Sequence, residues 1–459
     1  MLLALRFFSI NDIFLVPICL LLLYAIIRNR AENPKNGLLK KFYYRGFYYK
    51  VFFVFSYTLL TEFVFKGGDT GLYYQAIMDL RAALHADSDM MGTIIKSKHI
   101  TLENPLAPYF FYDNYADDFT FNYMRDVSNF SVPRLGLLPA IIFFDSYLCI
   151  NLCFGFFALA GSIRIFKFFY YYYPSYKNEI ALAAIFIPSV TFWSSGLLKD
   201  PICFGAIGFI LYGMLNIFVK KVKFASSILL IILCGLLIYN IKVYILLTLI
   251  MAITIWRFAE VNKLIKDSNL RIIFSLLTLV ISVTIAIFLL NYFTSQEAAQ
   301  SYKLDTLLEK SEKQRSALES VKVEGNSGFK INSSNPVMLV LESVSATFFR
   351  PFLWEVNTPI AFFSALESLI FLLLTLNFFL KKGVSLYFKN IFSDPKLLMC
   401  FVFSFVFGIA VGASTTNFGA LSRYKIPCMP FYFIMLLLVY KRASLSYPKW
   451  FNSVLKLVG

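Results

Sequence analysis

The chain has 459 residues, of which 58% are hydrophobic and only 15% charged, and it carries a formal net charge of +16. So apolar a composition leaves too little polar material to cover a soluble protein of this length. The positive charge does not indicate nucleic acid, because the basic residues sit in short clusters between apolar runs, as the positive-inside rule expects of a membrane protein.

The first thirty residues hold one apolar stretch closed by Arg28 and Arg30. With no basic n-region and no small-residue cleavage site, this reads as an uncleaved span. Apolar runs near spanning length recur at about 12–27, 51–65, 139–163, 179–195, 201–218, 225–240, 243–256, 272–292, 358–379, 397–415 and 425–440. They predict an all-α, polytopic helical bundle of about eleven spans, with residues 1–459 forming a single membrane domain.

Charge sets the expected topology. Arg28, Arg30, Lys35, Lys40, Lys41, Arg45 and Lys50 stand against Glu32 alone, which places segment 28–50 on the cytoplasmic side. Alternation then puts Arg164 and Lys167, Lys220 to Lys223, Arg257 to Arg271, Lys381 and Lys382, and Lys441 and Arg442 on that same side. The N-terminus is therefore expected outside and the C-terminus inside. Two long loops face outward, a first outer loop at 66–138, rich in Asp, Tyr, Asn and Pro, and a second at 293–350, polar in its middle.

The seven cysteines lie within or at the ends of apolar runs, with no CxxC pair and no zinc spacing, and read as small buried hydrophobes. His85 and His99 share one loop with no partner cluster. No metal is indicated; divalent-metal dependence, any cofactor and the oligomeric state stay open.

Five polar constellations interrupt the apolar pattern. In Lys66-Gly67-Gly68-Asp69-Thr70-Gly71-Leu72-Tyr73-Tyr74 the glycines permit a tight turn, and Asp69 is placed to act as a base or simply to cap a helix over 71–84. The segment from Pro188 to Asp200 carries Trp193 and the dipeptide Lys199-Asp200, either a phosphate contact or a pair that neutralises itself in a short loop. Lys242 breaks an apolar stretch and either snorkels or meets an anionic head group. Arg350 and Glu355 flank a proline-broken segment, and Glu367 falls inside a span; an Arg350–Glu355 or Arg350–Glu367 pair competes with a functional role. Arg423 and Lys425 precede the last span as outward cations, suited to phosphate or to interfacial anchoring beside Tyr424.

Taken together these give a carboxylate, several cations and aromatic rings able to stack on sugars. A glycan carried on a membrane-embedded lipid phosphate matches that set; nucleic acid does not. The cations hold the departing phosphate while Asp69 deprotonates an acceptor hydroxyl.

The same motifs resemble those of bacterial membrane glycosyltransferases of the GT-C class. GGDTGLYY looks like that class's outer-loop Asp followed by a helix with Tyr; PSVTFWSSGLLKD and NFGALSRYKIP are similar to its Pro-Ser-Trp and late Arg-Tyr segments. Polysaccharide polymerases of the Wzy and EpsG type share such features. The resemblance, scattered over about 60–430, implies a polyprenyl-phosphate sugar donor and a role in envelope or surface polysaccharide synthesis. It makes Asp69 the catalytic residue, with Lys199, Lys242, Arg350, Arg423 and Lys425 on substrate phosphate and Asp200, Glu355, Glu367, Tyr73, Tyr74 and Trp193 in secondary places. A repeat-unit polymerase is the nearest alternative. A transporter or flippase of a lipid-linked or anionic substrate is the alternative from another class, with Glu62 and Asp145 as its midplane carboxylates.

Overall fold

The computed structural model describes residues 6–111, 119–267, 269–274, 276–277, 280, 284, 336–356, 359–415 and 417–458. The chain falls into two compact units, Met1–Ile165 with Thr191–Lys242, and Phe166–Val190 with Val243–Gly459. Both are built from helices.

In the first unit, α1 (Asp12–Ala31) buries Val16, Cys19, Leu23, Ile27 and Ala31, a stripe at helical spacing. Its other faces expose Ile13, Phe14, Ile18, Leu21 and Leu22. A helix that is apolar on its outward faces too has hydrocarbon, not water, as its natural surroundings. α2 (Lys40–Leu60) runs into a π-helical turn, Thr61–Phe65, that ends on Lys66 in the left-handed region. Gly67 (φ +104°) and Gly68 (φ +55°) then turn the chain through 101° into α3 (Gly68–Ala86). Only glycine takes such angles without strain. α3 buries Tyr73, Ala76, Ile77, Leu80 and Ala83 and packs on α7 (Val127–Ile142). Short helices α4 (Met90–Lys96), α5 (Ala107–Phe111) and α6 (Phe119–Met124) lie between them in sequence. Asp126 caps α7 by accepting from the backbone N–H groups of Ser128 and Asn129 at 2.7 and 3.2 Å.

α8 (Tyr147–Tyr172) and α11 (Lys199–Leu215) meet backbone to backbone. A Cβ placed on Gly161 would stand 2.5 Å from the Cα of Gly205, and one on Gly208 2.1 Å from the carbonyl oxygen of Gly161. Small residues allow this approach, the usual device of helix pairs in membranes. Between α8 and α11 come α9 (Lys177–Ile185) and α10 (Pro188–Trp193). α12 (Phe224–Asn262) is interrupted at Lys242, whose φ of −149° and ψ of 78° are not helical.

In the second unit, the helix Met429–Arg442 is buried at every position from Met429 to Tyr440. It packs on α9 and on the helix Pro395–Ser414. Lys441 and Arg442, at its C-terminal end where cations suit the helix dipole, pair with Glu179 at 3.1 Å and Asp394 at 2.9 Å. The helix Pro336–Phe349 packs on Pro395–Ser414 so closely that a Cβ on Gly412 would lie 2.2 Å from the carbonyl oxygen of Ser343.

Among the described residues six helices are long and apolar enough to cross a membrane, or up to eight if each of two bent pairs is one span. They point to a multi-pass membrane protein; the expectation of eleven spans is not confirmed. The predicted runs 225–240 and 243–256 are one interrupted helix, and 179–195 is two short helices broken before Pro188. Most of 272–292, and residues 293–335 of the second predicted loop, lie outside the described residues. The first predicted loop is largely helical, because its polar residues serve as caps and turns around buried apolar stripes. Among the described residues of this loop the expected helix at 71–84 is present, beginning at Gly68.

Candidate functional site

The first unit gathers Asp69, Tyr73, Tyr74, Trp193, Lys199, Asp200 and Lys242; the second holds Arg350, Glu355, Glu367, Arg423 and Lys425.

Asp69 sits half-buried in the first turn of α3, one residue after the glycine turn. Sequence inspection passes over Arg6, whose guanidinium lies across this turn: a Cβ on Gly67 would be 3.1 Å from its Nη1 and one on Gly71 3.5 Å from its Nη2. Gly67 thus serves both to bend the chain and to admit a cation, and Gly71 makes room for the same guanidinium. The backbone N–H groups of Arg6 and Phe7 donate to the two oxygens of Glu62 at 3.0 and 2.7 Å. That engages Glu62 in holding the N-terminal segment. Asp145 accepts from Arg81 Nε at 2.9 Å, and the Tyr74 hydroxyl donates to the Asp145 carbonyl at 2.8 Å.

One face of α8 links the glycine turn to the Trp193–Asp200 segment. Tyr147 shares a hydrogen bond of 2.8 Å with Thr70. One turn on, Asn151 donates to Thr58 at 3.0 Å and accepts from the Leu197 N–H at 2.7 Å. Another turn on, Gly155 leaves room for the stem of Lys50, whose Cδ would stand 3.3 Å from a Cβ there. Lys50 is buried, not part of a cytoplasmic surface cluster as its neighbours in sequence imply. Its ammonium donates to the carbonyls of Thr191 (3.0 Å) and Ser194 (3.2 Å) and to the Ser194 hydroxyl (2.8 Å). These neutral oxygens are its partners among the described residues. They hold residues 191–194, with Trp193 stacked on Phe65 at 6.0 Å.

Lys199 and Asp200 each have a separate partner. Asp200 turns to Lys242, 2.6 Å away, and both are buried. Lys242 therefore neither snorkels nor stands open to a head group. Lys199 stays half-buried and donates to Ser128 Oγ at 2.6 Å, which in turn donates to Asp126. Partial desolvation pushes the Asp126 carboxyl up, but the Ser128 hydrogen bonds and the Lys199 charge outweigh it and hold the group below its ordinary value. Tyr73, one turn beyond Asp69, reaches Asn129 at 3.2 Å. The N-terminus of α7 thereby connects the Asp69 helix to Lys199.

In the second unit Arg350 is paired with Glu355 through its Nε at 3.0 and 3.1 Å, and through a further contact from Nη2. Glu367 is buried and accepts from the N–H and hydroxyl of Ser189 at 3.1 and 2.6 Å. Lys425 is fully buried at the bend between Phe418–Tyr424 and Met429–Arg442, where it donates to the Arg350 carbonyl at 3.3 Å and Ser368 Oγ at 3.2 Å. Arg423 is half-buried in the last turn of Phe418–Tyr424. Among the described residues no group of three or more His, Cys, Asp or Glu could hold a metal ion.

The chain matches no protein-family model, and neither the curated proteins nor the solved structures compared with it contain a match.

Proposed function

We propose that the protein is a membrane glycosyltransferase that takes a sugar from a polyprenyl-phosphate carrier at the outer face of a bacterial cytoplasmic membrane, in envelope or surface polysaccharide synthesis. The observation that carries this reading is the glycine turn. Asp69 opens α3 at a 101° break in the chain, with Lys199 connected to the same helix through Tyr73, Asn129 and Asp126. In the step proposed, the Asp69 carboxylate takes the proton of an acceptor hydroxyl. The oxygen forms a bond to the anomeric carbon of the donor sugar. The bond from that carbon to the carrier phosphate breaks, its electron pair leaves with the phosphate, and the Lys199 ammonium stabilises the new charge. Such chemistry rests on positioning and charge, and half-buried groups on rigid helices supply both.

The test is mass-spectrometric profiling of cell-surface glycans in a deletion strain complemented with wild type or Asp69→Asn. Loss of one sugar with normal membrane levels of the variant supports transfer. Collapse of a long polymer to single repeats supports a repeat-unit polymerase instead. A cavity lined by Asp12 and Asp145, not by Asp69, favours a second reading, passage of a lipid-linked substrate. An unchanged glycan profile for Asp69→Asn favours that second reading.

A further inference from the structure

The first unit contains a cavity of about 340 Å³ between the N-terminal segment and the end of α7, lined among others by Arg6, Asn11, Asp12, Tyr74, Phe144 and Asp145. This volume lies within the range of roughly 300–1,000 Å³ usual for small-molecule sites. Its rim is held in an uncommon backbone. Phe144 (φ +47°) and Asp145 (φ +63°) are consecutive non-glycine residues in the left-handed region. A bulky side chain there is strained and persists only where surrounding structure fixes it. Here the Asp145 N–H donates to the Ala140 carbonyl at 2.8 Å, and Tyr74 and Arg81 hold the carbonyl and one carboxylate oxygen of Asp145. The result is a Phe144 ring 71% exposed beside a carboxylate.

The polar groups of the cavity are only partly used. Asp12 is engaged on both oxygens, by the Ser9 N–H at 2.8 Å and by Ser146 Oγ. Asp145 accepts on one oxygen only, and the exposed Asn11 side-chain amide makes no hydrogen bond among the described residues. The lining carries the carboxylates of Asp12 and Asp145 against the guanidinium of Arg6, with the Arg81 guanidinium on Asp145 and the Glu62 carboxylate on the Arg6 and Phe7 N–H groups behind it. A phosphate meets an excess of carboxylates here, and both lining carboxylates are already engaged, Asp12 by Ser9 and Ser146 and Asp145 by Arg81. What fits is a neutral ring rich in hydroxyls: Asp145 and Asn11 exchange hydrogen bonds with the hydroxyls, and Phe144 covers an apolar ring face. Arg6 also lies across the glycine turn, so the cavity adjoins the turn that carries Asp69.

We propose that this cavity is a subsite for a neutral sugar ring. The proposal rests on the transferase reading for its biological sense. Its test is saturation-transfer NMR on the purified full-length protein in nanodiscs, with methyl glycosides of neutral hexoses and N-acetylhexosamines as probes and inorganic phosphate as the control. A neutral glycoside should bind wild type, with phosphate giving no signal. Asn11→Ala and Phe144→Leu should each weaken binding at least tenfold; the leucine keeps the apolar bulk and removes the ring face. Absence of glycoside binding to wild type, equal binding to both variants, or phosphate binding in preference to glycosides overturns the subsite. Glycoside binding together with a normal glycan profile for Asp69→Asn keeps the subsite and removes the transferase. Glycan loss in Asp69→Asn without glycoside binding removes the subsite and keeps the transferase.

Discussion

Lys242 Nζ stands 2.6 Å from Asp200 Oδ1, with both side chains buried, at the residue where α12 leaves helical geometry. A buried pair of this kind is costly to break from one side only. Asp200→Asn leaves an uncompensated ammonium and should cost about 3–5 kcal/mol. Adding Lys242→Met removes the stranded charge and should recover much of that loss. Thermal unfolding in detergent of wild type, both single variants and the double variant measures the coupling. Simple additivity of the two single effects would mean the pair is not energetically linked.

Lys50 makes the contrasting case, because its partners are neutral. Lys50→Met strands no opposite charge, and the Thr191 carbonyl keeps its hydrogen bond from Ser195 Oγ at 2.6 Å. The loss should be about 1–3 kcal/mol, from the acceptors left without a donor, and smaller than that of Asp200→Asn. Side-by-side melting curves decide the order of the two; a larger effect at Lys50 contradicts this account.

The crossing of α8 and α11 predicts a position-specific effect of one methyl group. Gly208→Ala meets the Gly161 carbonyl at 2.1 Å and should destabilise by about 1–3 kcal/mol through overpacking. Gly235→Ala, in α12 with nothing within 4 Å, should be neutral or stabilise by about 0.5–1 kcal/mol. Equal melting temperatures for the two variants would show that the helices do not approach as described.

The Asp126 cap gives a pH-dependent test. Its carboxyl is held below the ordinary value, so the stability it contributes is present above that ordinary value, near 3.8, and is lost as the pH falls through the depressed value. Asn also caps helices well, so Asp126→Asn keeps the cap and removes the charge. Wild type should be the more stable of the two at pH 5, and the difference should close as the pH falls through the depressed value. Asp126→Ala should cost about 1 kcal/mol more than Asn through loss of the cap. A wild-type advantage that does not change with pH on acidification would rule out the ionised cap as its source.

Apolar periodicity and length were enough to anticipate a helical membrane protein and to find α1, α11 and the helix Pro395–Ser414 within a few residues, whereas the run at 139–163 straddles the end of α7 and the first part of α8. The glycine turn and the helix after it were legible because Gly67 and Gly68 declare positive φ angles. Pairing was not legible. Nothing local to Lys199-Asp200 says that its acid belongs to Lys242, 42 residues away, while its base turns to Ser128. Lys50 looked cytoplasmic because it ends a run of basic residues; the aromatic and apolar residues that follow it directly were the missed sign of burial. Arg6 stood in the flank of an apolar stretch, where only a fold can show that two glycines lie beneath its guanidinium. Counting spans failed where a helix was interrupted by one residue, since hydropathy does not separate a break from a boundary.

The cage around Lys50 also has a consequence for synthesis. A chain entering a membrane from its N-terminus presents Lys50 long before Thr191, its first carbonyl partner, which follows 141 residues later. Asp200 waits only 42 residues for Lys242. Over the first interval the ammonium must stay hydrated at the bilayer edge or inside the insertion machinery, because hydrocarbon offers it nothing. α2 therefore reaches its final depth late, when the serine-rich segment arrives to take the place of water, and truncated chains ending before residue 191 should leave Lys50 accessible to amine-reactive labels.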